Sequence, residues 1–189
     1  MGIRLFVSID LPEALVDAVA AVQEEFRDAS GLSFTDPGQA HVTVKFLGDT
    51  PRARVGPLRE ALEAAVATAD VTPFDATYAG LGVFPSMDYI SVVWLGVTDG
   101  AAEMTRFHEA VEERTTALGF DAADHDFTPH VTLARMEHAG GKALVQDLLG
   151  ELDPTVGTAR VEELRLTESE HGPDGPEYST VERFPLPSD

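Results

Sequence analysis

Cysteine and asparagine are absent from this chain, and lysine occurs only as Lys45 and Lys142. Without cysteine there is neither a disulfide framework nor a thiolate zinc site. With so little lysine, 13 basic residues face 33 acidic ones and the net charge is −20. Electrostatic tracking along nucleic acid needs clustered cations, so that mode is excluded, whereas a small site gripping one terminal phosphate is not. Long apolar runs are lacking as well; none approaches the roughly 20 residues of a membrane span. The first apolar run is interrupted by Arg4 and Asp10, unlike a secretory leader. Phe6 stands where a myristoylation signal needs Ser or Thr. The expectation is a soluble, cytoplasmic protein with no membrane partner, monomeric by default.

What is present is a globular composition. Hydrophobic residues make up 43% of the 189 positions, enough for one substantial core or two small lobes sharing one. That fraction does not fit a disordered acidic tail. Acid-rich, lysine-poor surfaces suit a halophilic host, because a Debye length of roughly 3 Å at 1 M salt screens self-repulsion. Thermal melts in increasing KCl are therefore expected to rise toward molar salt. A midpoint unchanged across that series would count against the halophilic reading.

Hydrophobic periodicity orders the elements. Residues 3–10 alternate as a strand, and Pro12 suits the first turn of a helix with Leu15, Val19, Val22 and Phe26 inward, stopped by Gly31. Residues 34–38 form a short strand and turn before a strand over 41–47. A helical segment is predicted from Thr50-Pro51, restarting at Pro57, with Leu58, Leu62 and Val66 inward. Strands over 72–82 and 89–97 flank a turn-like 83–88. A helix follows to Leu118, with Met104, Phe107, Val111 and Leu118 facing inwards. After a strand over 130–135 come a short helix to about 149 and strands over 158–167 and 178–184, around a turn at 172–176. The order repeats itself, and Phe34-Thr35 and Phe127-Thr128 each precede a histidine strand. The reading is an α+β, bilobal fold: two pseudo-symmetric antiparallel sheets flanked by helices around a central cleft, in a single domain over 1–189.

Two stretches carry the chemistry, His41-Val42-Thr43-Val44 and His130-Val131-Thr132-Leu133. Period two puts His41 and Thr43 on one face of their strand, and His130 and Thr132 on one face of theirs. Two imidazoles near their ordinary pKa of about 6.5 form a base and acid pair at neutral pH. The hydroxyls stand where they can donate to phosphate oxygens. Which histidine is the acid stays open at this level. No metal is called for, and the other histidines, His108, His125, His138 and His171, match no metal-ligand spacing. Arg52, Arg54 and Arg59 crowd one segment; with Lys45 they either guide RNA to the cleft or form a solvated face beside Glu60 and Glu63.

These motifs resemble the paired H-x-T-x motifs of the 2H phosphoesterase superfamily. The flanks resemble its RNA 2′,3′-cyclic phosphodiesterase (LigT-like) branch: residues 4–12 (RLFVSIDLP), 41–48 (HVTVKFLG), 80–85 (GLGVFP), 93–97 (VWLGV), 127–135 (FTPHVTLAR) and 183–186 (RFPL). The resemblance implies the same bilobal fold, with His41 and His130 catalytic, and hydrolysis of RNA 2′,3′-cyclic ends or nucleoside 2′,3′-cyclic phosphates to 2′-phosphates without a cofactor. It also implies phosphate contacts from Thr43, Thr132 and Arg135. Strict alternation puts Arg135 on the face opposite His130, so a bulge, twist or strand end near Ala134 must turn it back. Phe46, at the same offset in the first motif, is either a base or ribose contact or a core residue. The rival readings are 2′–5′ ligation of RNA ends such as tRNA halves, a different cyclic substrate, and a non-catalytic RNA-end binder.

Overall fold

The computed structural model describes residues 2–173 and 175–188. In chain order the elements are β1 (Gly2–Asp10), α1 (Val16–Glu25), β2 (Leu32–Phe34), β3 (His41–Pro51) and α2 (Val55–Thr68). They continue with β4 (Phe74–Pro85), β5 (Ile90–Val97), α3 (Ala101–Ala117), β6 (His130–Met136), α4 (Lys142–Glu151), β7 (Thr155–Val161), β8 (Glu163–Gly172) and β9 (Gly175–Pro185). The class is α+β.

Each half of the fold is an antiparallel sheet with its motif strand innermost: β3-β1-β8-β9 on one side and β6-β5-β4-β7 on the other, with β2 also on β6. The two expected sheets are continuous through a single pair, Val42 with Val131. Between the motif strands the ladder is that short, and the sheet curls around the seam.

The helices are exchanged between halves. From the first half of the chain, α1 packs on β6 and β7, while α3 of the second half packs on β3 and α2 reaches β9. Their apolar stripes, Val19 and Val22 on α1, Leu58 and Leu62 on α2, and Met104, Phe107 and Val111 on α3, close on Leu5, Val7, Ile9, Val42, Val131 and Leu133 of the sheet. Leu118, expected inside, is half-buried at the end of α3. Among the described residues no helix is long and apolar enough to cross a membrane.

Several boundaries differ from the periodicity. The β3 strand runs on to Pro51, pairing Thr50 with Ile3, where a helix start was expected. After a turn at 52–54, α2 begins at Val55, and Pro57 sits in its first turn, where an N–H has no intrahelical partner to lose. Residues 83–85 are not turn but strand, paired with β5. The predicted strand 158–167 is two strands, because the chain crosses at Glu162 from the outer edge of one half into the other. Buried Val161 and Leu164 are three apart, and that breaks the period of two. The strands β8 and β9 pair out to Gly172 and Gly175; Asp174, in the predicted turn 172–176, lies outside the described residues.

Candidate active site

The Val42–Val131 register sets the geometry. In an antiparallel pair it places His41 across from Thr132, and Thr43 across from His130, all four on the face away from the helices. Val42, Val44, Val131 and Leu133 are buried on the other face, while His41, Thr43, His130 and Thr132 are half-buried. The two distant imidazole–hydroxyl couples therefore meet on neighbouring strands.

A bulge follows each motif at the same offset. On β3, Ser8 pairs with Thr43 and Val7 with Lys45, so Val44 is the extra residue. On β6, Trp94 pairs with Thr132 and Val93 with Ala134, so Leu133 is extra. An extra residue reverses the alternation beyond it. Lys45 and Ala134 consequently point into the core, and Phe46 and Arg135 turn to the histidine face. This resolves the difficulty over Arg135: its guanidinium charge bears on His41, His130 and Tyr178 alike. Phe46 is 57% exposed rather than core, with the Arg4 guanidinium 5.7 Å from its ring centre.

The two imidazoles are held alike. His41 Nδ1 lies 3.0 Å from the carbonyl of Gln39, and His130 Nδ1 lies 2.6 Å from that of Thr128, two residues upstream in each case. A carbonyl only accepts, so each Nδ1 carries the hydrogen and each Nε2 is left as the working nitrogen. In His41 that Nε2 accepts the Thr43 hydroxyl at 3.0 Å. Burial pushes both imidazoles below the ordinary histidine value, against the opposing pull of those carbonyls. Asp10, paired across from His41 on β1, favours its charged form, while Arg135 disfavours it. His130 has no such carboxylate acting on it, and the positive charges of His41, Arg135 and His125 lower it further.

Around these groups stand residues that motif reading missed. The Tyr178 ring meets His41 and Phe6 edge-on at 5.2 Å, and Phe6 lies 4.9 Å from His41. Phe84 abuts His130 edge-on at 4.8 Å, and Trp94 lies 5.8 Å from it. The Trp94 indole covers Gly82, where a Cβ would come within 2.2 Å of the ring. Gln39 ties the outer hairpin to the first motif: its amide accepts the Tyr178 N–H at 2.9 Å and donates to the Pro176 carbonyl at 3.1 Å. Period-two reading of β1 already put Phe6 and Asp10 on one face of that strand. Tyr178 carried no local signal, because it reaches the site only through the β8–β9 hairpin.

Of the four cations considered as a guide, Arg52 is exposed and the other three are engaged elsewhere. Lys45 is buried and paired with Glu112, Arg59 is paired with Glu182, and Arg54 donates to the Leu118 carbonyl and lies over Phe120. These groups are engaged with the protein itself. Among the described residues no cluster of three or more His, Asp or Glu has metal-binding geometry.

Residues 11–173 match the 2′-5′ RNA ligase superfamily. The chain belongs to that superfamily. Within it, the chain is 32% identical over 188 residues to an RNA 2′,3′-cyclic phosphodiesterase of Methanothermobacter thermautotrophicus, covering 98% of this chain and all of the relative. A relative of the same description from Aeropyrum pernix is 36% identical over 142 residues, 75% of this chain and 78% of the other. The solved structure of TT0787 from Thermus thermophilus superposes with a TM-score of 0.78 at 29% identity, over 97% of both chains. E. coli LigT complexed with 3′-AMP superposes with the same score at 20% identity over the whole of both chains, which shows a shared fold.

Proposed function

We propose that this chain hydrolyses RNA 2′,3′-cyclic phosphodiester ends to 2′-phosphates by general acid–base catalysis with His41 and His130. The observation that carries the reading is the matched pair of imidazoles, each with Nδ1 tied to a backbone carbonyl, so that Nε2 (in His41 beside the Thr43 hydroxyl) is the nitrogen left for proton transfer. The names of the relatives point to the same substrate class.

In this scheme one neutral Nε2 takes a proton from water as its oxygen attacks phosphorus. The P–O3′ bond breaks in line, and the other imidazolium gives its proton to the departing O3′. Asp10 beside His41 favours its charged form while Arg135 opposes the charged form of both rings, and the scheme runs with either ring as the acid and the other as the base. Thr43, Thr132 and Arg135 would donate to the non-bridging oxygens as charge builds there. Phe46 would flank the ribose or base. Both proton transfers are carried by side chains, so the scheme calls on no metal, and turnover in excess chelator measures this directly.

Product analysis on RNA with a 2′,3′-cyclic end tests the function, with a new 2′-phosphate as the expected result. Ligation is the same displacement with an RNA 5′-hydroxyl in place of water, P–O3′ breaking as the 2′–5′ phosphodiester forms, and cyclic-ended tRNA halves report it. Neither product from either substrate would refute both readings.

Two further results are expected. Thr43→Val and Thr132→Val each lose about 1.5–3 kcal/mol of charge-assisted hydrogen bonding, read as lower kcat/KM. The pH profile of kcat/KM is bell-shaped, since the base must be neutral and the acid protonated. Both imidazoles are depressed in the free protein, so the bell centres on the acid side of the ordinary histidine value. A maximum well above neutrality would contradict the assignment.

A further inference from the structure

Arg135 and Phe46 reach the histidine face only because a bulge follows each motif, and a bulge on a curled sheet needs something to hold it. Behind each lies one polar side chain from an exchanged helix, Gln23 buried and His108 partly buried. From α3, His108 Nδ1 donates to the carbonyl of Val44, the extra residue of β3, at 2.8 Å. From α1, Gln23 Nε2 donates to the carbonyl of Leu133, the extra residue of β6, at 3.0 Å. The Thr35 N–H also donates to the Leu133 carbonyl, at 3.0 Å.

Each of these side chains also holds the segment that leads into the opposite motif. Gln23 Nε2 donates to the Thr35 carbonyl at 2.8 Å, on the run into His41. His108 stacks flat on Phe127 with ring centres 4.5 Å apart, on the run into His130. Gln23 is 7% exposed, so its amide would be costly there without these partners. The arrangement is two crossed braces, one from each half of the pseudo-repeat.

We propose that Gln23 and His108 are positioning residues that set the two bulges, Gln23 aiming Arg135 and His108 aiming Phe46 at the substrate. The proposal rests on the reading of Arg135 and Phe46 as substrate contacts. A carbonyl that loses its helix donor is held less firmly (Leu133 then only by Thr35), and the strand relaxes toward regular alternation, which swings the next side chain off the face. Misplacement of about 1 Å is enough to cost a large factor in rate.

The test is a pair of double-mutant cycles on kcat/KM for 2′,3′-cyclic AMP, with circular dichroism normalising for folded protein. Gln23→Met is expected to lower kcat/KM about ten-fold alone, to add less than about two-fold to Arg135→Ala, and to keep its full effect on Phe46→Ala. His108→Met is expected to mirror this, coupled to Phe46→Ala and independent of Arg135→Ala. Gln23→His and His108→Gln each restore a donor to the bulge carbonyl without the second contact, on Thr35 or Phe127, and are expected to recover most of the loss seen in the methionine variants. Equal losses in every background would reveal general stabilisation and overturn the proposal, as would parent-like rates for both methionine variants. Failure of both to fold would overturn it too, because a brace that aims one side chain is dispensable for folding. Affinities for adenosine 2′-monophosphate are measured on the same proteins. A parent chain without turnover refutes the functional reading alone, and the braces are then decided by whether the same coupling pattern appears in binding.

Discussion

His41→Ala or His130→Ala is expected to lower turnover of 2′,3′-cyclic AMP by about 10²–10⁴ while leaving the circular dichroism spectrum unchanged. The expected rate effect follows from the proposed scheme, in which each ring, with Nδ1 held by a backbone carbonyl, moves one of the two protons through Nε2. The fold survives because neither ring belongs to the hydrophobic core, which lies on the opposite face of β3 and β6. The two effects are expected to be non-additive, since a base without an acid gains little. Single-turnover measurement separates chemistry from product release. A His130→Ala protein with a near-parent rate would remove the mechanism.

Glu112→Leu is expected to destabilise the fold by about 3 kcal/mol, the lower end of what stranding a buried charge costs. The Lys45 side chain is 3% exposed; its ammonium lies 2.5 Å from Glu112 and 2.8 Å from the Asp121 carbonyl. Without the carboxylate only that carbonyl remains. The value sits at the lower end because Glu112 is itself partly solvated, with 23% of its side chain exposed. For a chain of this size the melting temperature is expected to fall by about 6–12 °C. Lys45→Met/Glu112→Leu should recover most of the loss, since an apolar pair of similar volume replaces a desolvated ion pair at little net cost.

The pH dependence has a definite sign. Burial alone would raise the Glu112 carboxyl, but hydrogen bonds from Lys45 and the Ala123 N–H and the nearby Lys45 and His108 charges outweigh it and hold it below its ordinary value. A depressed carboxylate contributes stability above its unfolded pKa and loses it as pH falls through the folded one. The gap between parent and Glu112→Leu is therefore expected to close in strongly acidic buffer. A gap constant with pH would mean that the loss is packing alone.

Much of this was open to reading one residue at a time. The β1 strand, the stripes of α1, α2 and α3, and both histidine strands follow from periods of two and 3.6, because burial of one face imposes them locally. Reading failed where a neighbour decides. Glu162 looks like the interior of one strand, and only the separate partners of β7 and β8 divide it. Lys45 looks like a surface cation, and only the bulge at Val44 turns it inward to Glu112.

Arg135 shows the division most clearly. The family resemblance supplied the chemistry, a cation suited to phosphate, and the spacing from His130 put that cation on the wrong face of a regular strand. Sequence alone determined which groups are present, that they come in two matched sets, and which face each imidazole shares with its threonine, since alternation is a property of the strand itself. Tertiary structure decided that the two sets abut through Val42 and Val131, that an extra residue on each strand reverses the alternation beyond it, and that Tyr178 and Asp10 join the site. Those outcomes depend on pairing between strands and on donors from helices far along the chain, and no local period encodes them.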